Sequence, residues 1–382
     1  MNKNVTLIFN HFEFSEEHLN KDVFLVPLYL GRALGFDVTV VYPNLNSNAN
    51  FPKEFNGVKL VGLDYKKEIP FIPLWKHLNF YKYVIQNANL INVLVRFHLS
   101  VHTELISLIY KFFNKKGKVY VKLDINIDFL DITYGKKRNL LKRKMHVFVN
   151  NAFLKCVDSF SCETAKAFNI LKSSKYPELQ FGNKLILMPN GFDEILLNSL
   201  NIKERKFIDK ENIILTVGRL GTSQKNTELL LRALSNVDLD NWKVYLIGSV
   251  EESFLNKIEK FYQNNPKKVH SVKFIGPVYD KKHLFEYYNR SKVFVLTSNW
   301  EGFPIVYTEA KRFRNYIVST AIPASYDIIE DDKYGVNFEL NDEASLAKIL
   351  DDIIAGRRII DVYNDFNTNE ISWESIIKSI KF

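Results

Sequence analysis

Short apolar runs, each closed by glycine, proline or a polar turn, recur along the chain at intervals of roughly twenty to forty residues, the spacing of parallel βαβ units. Val5–Phe9 reads as the first buried strand. A polar, acidic loop follows over Asn10–Asp22, and Val23–Leu34 has the apolar spacing of a helix ended by Gly35. Further strands are predicted over Phe36–Tyr42, Leu90–Arg96 and Lys118–Leu123, with a helix over Thr103–Phe113. Met145–Val149 and Ser159–Cys162 are expected to be two more short strands. The pattern then restarts. Asn212–Val217, Trp242–Ile247, Ser271–Ile275, Lys292–Thr297 and Asn315–Ser319 predict strands, and Asn226–Leu234, Leu284–Asn289 and Pro304–Phe313 predict helices. Pro189-Asn190-Gly191 lies between the two series and is the expected hinge.

Composition narrows the class. The chain has 382 residues, 46% apolar and 25% charged, which suits two globular domains and excludes a disordered or fibrous protein. Cys156 and Cys162, six positions apart, form neither a metal cluster nor a disulfide framework, so a reducing compartment is expected. The first residues have no cationic stretch leading into an apolar core and cleavage site, and no run of about eighteen apolar residues occurs, so a cytoplasmic protein is the expectation. The net charge of +9 is uneven: residues 1–189 hold 26 basic and 15 acidic side chains, a surplus of +11, whereas the remainder carries −2. Six cations crowd into 136–144 around Leu140 and Leu141. No helix-turn-helix, RNA-binding sheet motif or zinc finger accompanies them, so nucleic acid is not the expected partner. A basic helix with an apolar pair fits the headgroup level of an anionic membrane, with a solvated charge run as the alternative.

In open parallel sheets ligands bind beyond the carboxyl ends of the strands, which directs attention to two loops. After Val217 comes Gly218-Arg219-Leu220-Gly221-Thr222-Ser223-Gln224-Lys225-Asn226. Arg219 offers a planar fork and Lys225 a mobile point charge at the mouth of the next helix, a pair suited to two phosphoryl groups. The alternative is a pair of solvated surface cations. After Thr297 come Glu301-Gly302-Phe303-Pro304-Ile305 and, two helical turns on, Glu309. An inward carboxylate at Glu309 accepts two ring hydroxyls at once, with an ordinary solvated helix residue as the alternative, and the N–H groups of Phe303 and Ile305 suit a phosphate; Pro304 has none to give.

These segments carry a resemblance. Val217-Gly218-Arg219 with Lys225-Asn226, Glu301-Gly302-Phe303-Pro304 with Glu309-Ala310, and Met188-Pro189-Asn190-Gly191-Phe192-Asp193 are similar to retaining glycosyltransferases of GT-B fold, and within them to the group 1 family also called GT4. The resemblance implies an α/β chain of two Rossmann-like parallel-sheet domains facing a central cleft. An acceptor domain would occupy 1–188 and a donor domain 189–368, with a last helix at about 369–382 crossing back and Trp373 as its anchor. Arg219 and Lys225 would hold the donor diphosphate, Glu309 the ribose hydroxyls and Glu301 the transferred sugar. Phe303, Pro304 and Ile305 would wrap the sugar-phosphate linkage. The donor would be a UDP- or GDP-sugar, the acceptor a hydroxyl of a glycan or lipid-linked glycan in bacterial surface polysaccharide or glycolipid synthesis, and no metal or other cofactor would be needed.

The first half departs from the family. Its loop after the first strand is Asn10-His11-Phe12-Glu13-Phe14-Ser15-Glu16-Glu17 where a glycine-rich loop is usual, and Asp124 stands where a histidine is common, with His98 and His102 as alternatives. Competing readings are an epimerase or phosphorylase on the same fold, or a non-catalytic scaffold.

Overall fold

The computed structural model describes residues 3–11, 13–45, 51–67, 73–125, 127, 130 and 140–382, with backbone only at 73 and 140–146. The basic segment 136–144 therefore lies outside the described residues, apart from the backbone of its last five positions. Two compact units are present: Met1–Asn190 together with Trp373–Phe382, and Gly191–Ser372.

In the first unit the strands are β1 (Asn4–Ile8), β2 (Asp37–Pro43), β3 (Glu54–Phe55), β4 (Val58–Leu63), β5 (Val93–Phe97), β6 (Lys118–Lys122), β7 (Ser159–Cys162) and β8 (Leu185–Leu187). They form a sheet in the order β3-β4-β2-β1-β5-β6-β7-β8, parallel except for the β3–β4 pair. The second unit holds β9 (Glu211–Val217), β10 (Lys243–Ile247), β11 (Val272–Gly276), β12 (Ser291–Leu296), β13 (Tyr316–Thr320) and β14 (Gly335–Phe338). Its order is β11-β10-β9-β12-β13-β14, parallel throughout. Counted from its own first strand, this is the 3-2-1-4-5-6 order of a doubly wound fold, and the strands from β4 to β7 of the first unit repeat it.

Burial explains why these segments are strands. Alternate residues of one strand point to opposite faces, so a sheet covered on both sides needs continuous apolar runs. Ile214, Val244, Leu246, Val293 and Val295 pack on one face of the second sheet, and Leu215, Ile247, Phe294 and Leu296 on the other. Val5, Leu7, Val93 and Val95 are separated from Ile8 and Leu94 in the same way.

One expected strand is wrong. Met145–Val149 lies inside the helix Leu140–Cys156, and Phe148 is 75% exposed there. The local run of Val and Phe has strand propensity, but it has no sheet to enter: β7, beginning only at Ser159, takes the place beside β6. Several elements with weaker apolar signals were not anticipated, including β4, β14 and the helices Leu78–Asn87, Leu255–Asn264 and Glu343–Ile354.

The chain's last segment opens with a single short turn, Trp373–Ile376. Trp373 is fully buried and stacks on Tyr29 at 6.4 Å, and Ile377 and Ile380 join the same core of the first unit.

At the carboxyl end of β10, Gly248 adopts φ +141°, and a Cβ there would lie 1.8 Å from the Gly218 carbonyl oxygen. The two loops can meet only without that side chain. Gly248→Ala is expected to lower the melting temperature of the second unit by roughly 4–10 °C, from about 1–3 kcal/mol of backbone strain plus the clash. A calorimetric scan within about 1 °C of the parent would contradict this.

Candidate functional site

The strand order of the second unit reverses between β9 and β12, and the loops that follow these two strands carry most of the predicted residues. Gly218 continues β9 by donating to the Ile247 carbonyl at 2.9 Å, and its missing side chain leaves room for the Lys225 stem, whose Cε lies 3.2 Å from where a Cβ would stand. The loop then folds back on itself. Lys225 N donates to Thr222 Oγ1 at 3.2 Å, Asn226 N to the Thr222 carbonyl at 3.0 Å, and the helix Thr227–Ser235 follows. From the β12 side, Asn299 N donates to the Gln224 carbonyl at 2.8 Å, and the Thr297 hydroxyl donates to the Lys225 carbonyl at 3.0 Å. Backbone bonds thus lace the two loops together.

Their side chains form one network. Lys225 Nζ donates to Glu301 Oε1 at 2.6 Å, the two side chains being 14% and 8% exposed. Ser298 Oγ donates to the same oxygen at 2.7 Å, and Gln224 Nε2 donates to Oε2 at 3.1 Å. The amide oxygen of Gln224 accepts from Arg219 Nη2 at 2.9 Å, while Arg219 itself stands exposed. Arg219, Lys225 and Glu301 are therefore brought together, through a glutamine that carries no sequence signature. Phe303 is buried, Pro304 caps the helix Ile305–Arg312, and Ile305 begins it. Glu309 is 3% exposed on the buried side of that helix, outside this network, and accepts instead from Lys281 Nζ at 2.8 Å.

Residues 198–373 match the family model for glycosyl transferases group 1. This part of the chain, a little under half of its length, is similar to that family. The chain is 37% identical over 155 residues to the amylovoran biosynthesis glycosyltransferase AmsD of Erwinia amylovora, covering 38% of this chain and 40% of that protein. It is 26% identical over 226 residues to the capsular polysaccharide biosynthesis glycosyltransferase CapM of Staphylococcus aureus, covering 54% and 56% respectively. The chain spans about half the length of the curated relatives it matches. Among solved structures, Anabaena HepE in complex with UDP superimposes with a TM-score of 0.65 at 13% identity, over 98% of this chain and 97% of that one. The fold is GT-B, and the family match falls almost wholly within the second unit.

The remaining predicted residue, Asp124, belongs to the first unit, outside the matched residues. It follows β6 and is 44% exposed, with His98 Nδ1 at 3.5 Å from its Oδ2. His98, at φ +57°, follows β5 and donates its N–H to the Lys122 carbonyl at 2.9 Å. Left-handed backbone at a non-glycine residue is uncommon and costs energy. Here it turns the imidazole toward Asp124 and toward His11, whose ring meets it edge-on at 5.2 Å. His11 follows β1, so this pair too stands where strand order reverses, between β1 and β5. His102 is apart from it, its ring tilted against that of His77 with centroids 3.8 Å apart, and it is bonded to the Tyr81 hydroxyl at 2.7 Å.

Beneath Asp124 the fully buried Lys122 bonds Asp22 at 2.5 Å, Asn190 at 2.9 Å and Glu163. Burial pushes the Glu163 carboxyl up to about 7 against the pull of Lys122, and Asp22 and Glu163 together outweigh burial to raise the Lys122 ammonium. Sequence reading missed Lys122, Asp22 and Glu163, as it missed Gln224, Ser298 and Lys281. Only Asn190 had been flagged, as a hinge residue. Among the described residues no group of three His, Cys, Asp or Glu side chains is placed to hold a metal ion.

His11 carries a testable pH dependence. Burial, with help from the Arg96 charge, lowers its pKa from 6.5 to about 2, while its Nε2 stays 2.9 Å from the Phe97 carbonyl. Between those values the unfolded chain binds a proton that the folded one refuses, so stability falls as pH drops below 6.5. The slope is up to about 1.4 kcal/mol per pH unit. His11→Gln should remove that slope, making urea unfolding curves converge with the parent's as pH falls from 6.5 to 4. Parallel curves across this range would show that the ring is not held neutral.

Proposed function

We propose that the chain is a retaining glycosyltransferase of the GT4 type, moving a hexosyl group from a UDP- or GDP-sugar to a hydroxyl of a glycan or lipid-linked acceptor. The observation that carries this reading is the chain of hydrogen bonds Arg219–Gln224–Glu301–Lys225 at the reversal point of the second sheet. In it Arg219 and Lys225 are the diphosphate clamp. Lys225 is fixed by Glu301 before any donor arrives, and Arg219 is exposed and aimed by Gln224. Both interactions strengthen as negative charge gathers on the departing nucleotide diphosphate, which is the differential stabilisation that accelerates a reaction. These two cations do the charge-neutralising work that a metal performs elsewhere, so the reaction needs none.

The other roles follow from position. Glu301 presents its carboxylate to the transferred sugar's hydroxyls, Phe303, Pro304 and Ile305 line the sugar-phosphate linkage, and Glu309 takes the ribose diol. The acceptor hydroxyl attacks the anomeric carbon from the face the nucleotide leaves, its proton passing to the leaving phosphate oxygen. In the first unit the Asp124–His98 pair orients the acceptor. The neighbour crystallised with UDP and the relatives named for capsular polysaccharide and amylovoran biosynthesis support the donor class and a role in surface polysaccharide synthesis.

Kinetics test the clamp. Lys225→Ala should lower the rate at saturating donor by roughly 30- to 1000-fold, about 2–4 kcal/mol of transition-state stabilisation, with a smaller effect on donor binding. Arg219→Ala removes the exposed partner without stranding a buried charge, and Arg219→Lys should not restore full activity because a point charge cannot copy the fork. Turnover within about threefold of the parent in both alanine variants would overturn the assignment. Product analysis by mass spectrometry separates transfer from epimerisation and phosphorolysis.

We also propose a cytoplasmic enzyme that docks peripherally on the anionic inner face of a membrane through 136–144. Phe112 and Phe148, 76% and 75% exposed on the packed helices Val101–Phe113 and Leu140–Cys156, add apolar surface in support. No helix among the described residues is long and apolar enough to cross a membrane. Replacing Lys136, Lys137, Lys142 and Arg143 by Gln should weaken sedimentation with anionic liposomes at about 0.15 M salt, each cation near the surface being worth roughly 1 kcal/mol. Equal sedimentation of parent and variant would refute the docking.

A further inference from the structure

Glu309 does not sit alone in its pocket. The helix Lys281–Arg290, which starts after β11, turns one face toward it: Lys281, Phe285 and Tyr288 follow at the i, i+4, i+7 spacing that aligns side chains on a helix. Lys281 Nζ reaches Glu309 Oε1 at 2.8 Å, the side chains being 23% and 4% exposed, and lies 5.4 Å from the Phe285 ring centroid. The Tyr288 hydroxyl is fully buried beside the same carboxylate, and burial together with that negative charge drives its ionisation far up.

This arrangement is not explained by the helix itself. Lys281 is the first residue of its helix, where the macrodipole disfavours a cation, and the helix is already capped by Asp280, whose side chain accepts from His283 N at 2.8 Å. Nor is Lys281 part of the diphosphate clamp, since the clamp lies on the loops after β9 and β12. Its one charged partner among the described residues is Glu309. A carboxylate this buried is costly without a charged partner, and Lys281, reaching over from a different loop, supplies one. A carboxylate has about four lone-pair directions, more than the Lys281 ammonium and the neighbouring Tyr288 hydroxyl use, so capacity remains for vicinal hydroxyls.

We propose that Lys281 is the positioning residue for Glu309, fixing the carboxylate so that the nucleotide's ribose, rather than its base, is read at this point of the donor pocket. The proposal rests on the reading of Glu309 as the ribose-binding carboxylate. Lys281 turns that contact into discrimination. With the carboxylate locked, a ribonucleotide completes its open lone pairs and a 2′-deoxynucleotide leaves one unmet. With Lys281 gone, the carboxylate swings or recruits water, and the two nucleotides become alike.

Calorimetric titration of the full chain with UDP, GDP, 2′-deoxy-UDP and 2′-deoxy-GDP tests this. The parent should bind the ribose form of whichever nucleotide it accepts more tightly than the deoxy form. Lys281→Met should weaken ribonucleotide binding by roughly fivefold to twentyfold, the scale of one charged hydrogen bond, and bring the ribo-to-deoxy ratio close to one. The rate at saturating donor should change less than threefold. Lys281→Arg should recover most of the ratio, and Lys281→Gln serves if the methionine variant is not folded. Glu309→Gln separates the two levels. If it abolishes the ratio while Lys281→Met and Lys281→Gln keep the parent's, the inference about Lys281 fails and the ribose reading stands. If neither Glu309→Gln nor the Lys281 variants alter the ratio, the ribose reading fails with it.

Discussion

The site of the second unit depends on a reversal of strand order. A right-handed crossover sends the chain after β9 to one face of the sheet and the chain after β12 to the other, so the loops leaving these adjacent strands diverge and open a crevice between them. Polar groups entering the crevice need partners, and the Lys225–Glu301 ion pair spans it. Its partners are nearly out of solvent, so each holds the other in place and removal of either strands a charge. Gln224 and Ser298 add two further hydrogen bonds to the carboxylate, which fixes the rotamer of Glu301 and, through it, the ammonium. Preorganisation of this kind places the cost of ordering these side chains in folding rather than in any later binding event.

The first unit follows the same geometry with different chemistry. At its own reversal, between β1 and β5, the loops bring imidazoles rather than an ion pair: His11 and His98 meet edge to face, with Asp124 alongside. The charge lies lower. Lys122 is enclosed by Asp22 from the start of the helix Asp22–Leu34, by Glu163 from the end of β7 and by Asn190 at the end of the unit's first segment, so one ammonium joins three parts of the chain. The Asn190 of the Pro-Asn-Gly turn thus has a structural duty in addition to any hinge role.

Much of this was legible because strands buried on both faces must be apolar throughout. Ile213–Val217 or Phe294–Leu296 can hardly be anything else in a chain of this class, and the glycines and charged residues just after them mark the ligand-binding ends. What was not legible has equally physical causes. β4 alternates buried and exposed positions near a sheet edge, and β14 is four residues long with an asparagine inside, so neither has a run to detect. Met145–Val149 has the composition of a strand, and only the absence of a place in the sheet makes it helical. Gln224 and Ser298 act through short polar side chains in loops, which sequence does not distinguish from solvated ones. Lys281 and Glu309 are 28 positions apart and on different helices, so their pairing is a property of tertiary structure alone.

The return of the chain to the first unit has a consequence for biosynthesis. Trp373 fills a slot against Tyr29, and Ile377 and Ile380 close the same core, yet these residues leave the ribosome after the whole of Gly191–Ser372. The second unit has all of its strands before the first has its last apolar anchors. During translation the earlier-made unit therefore waits with part of its core open to water, the condition under which nascent chains recruit chaperones or self-associate. The order of completion inverts the order of synthesis, and the segment Trp373–Phe382 acts as a latch that seals the first unit only after the second has been made.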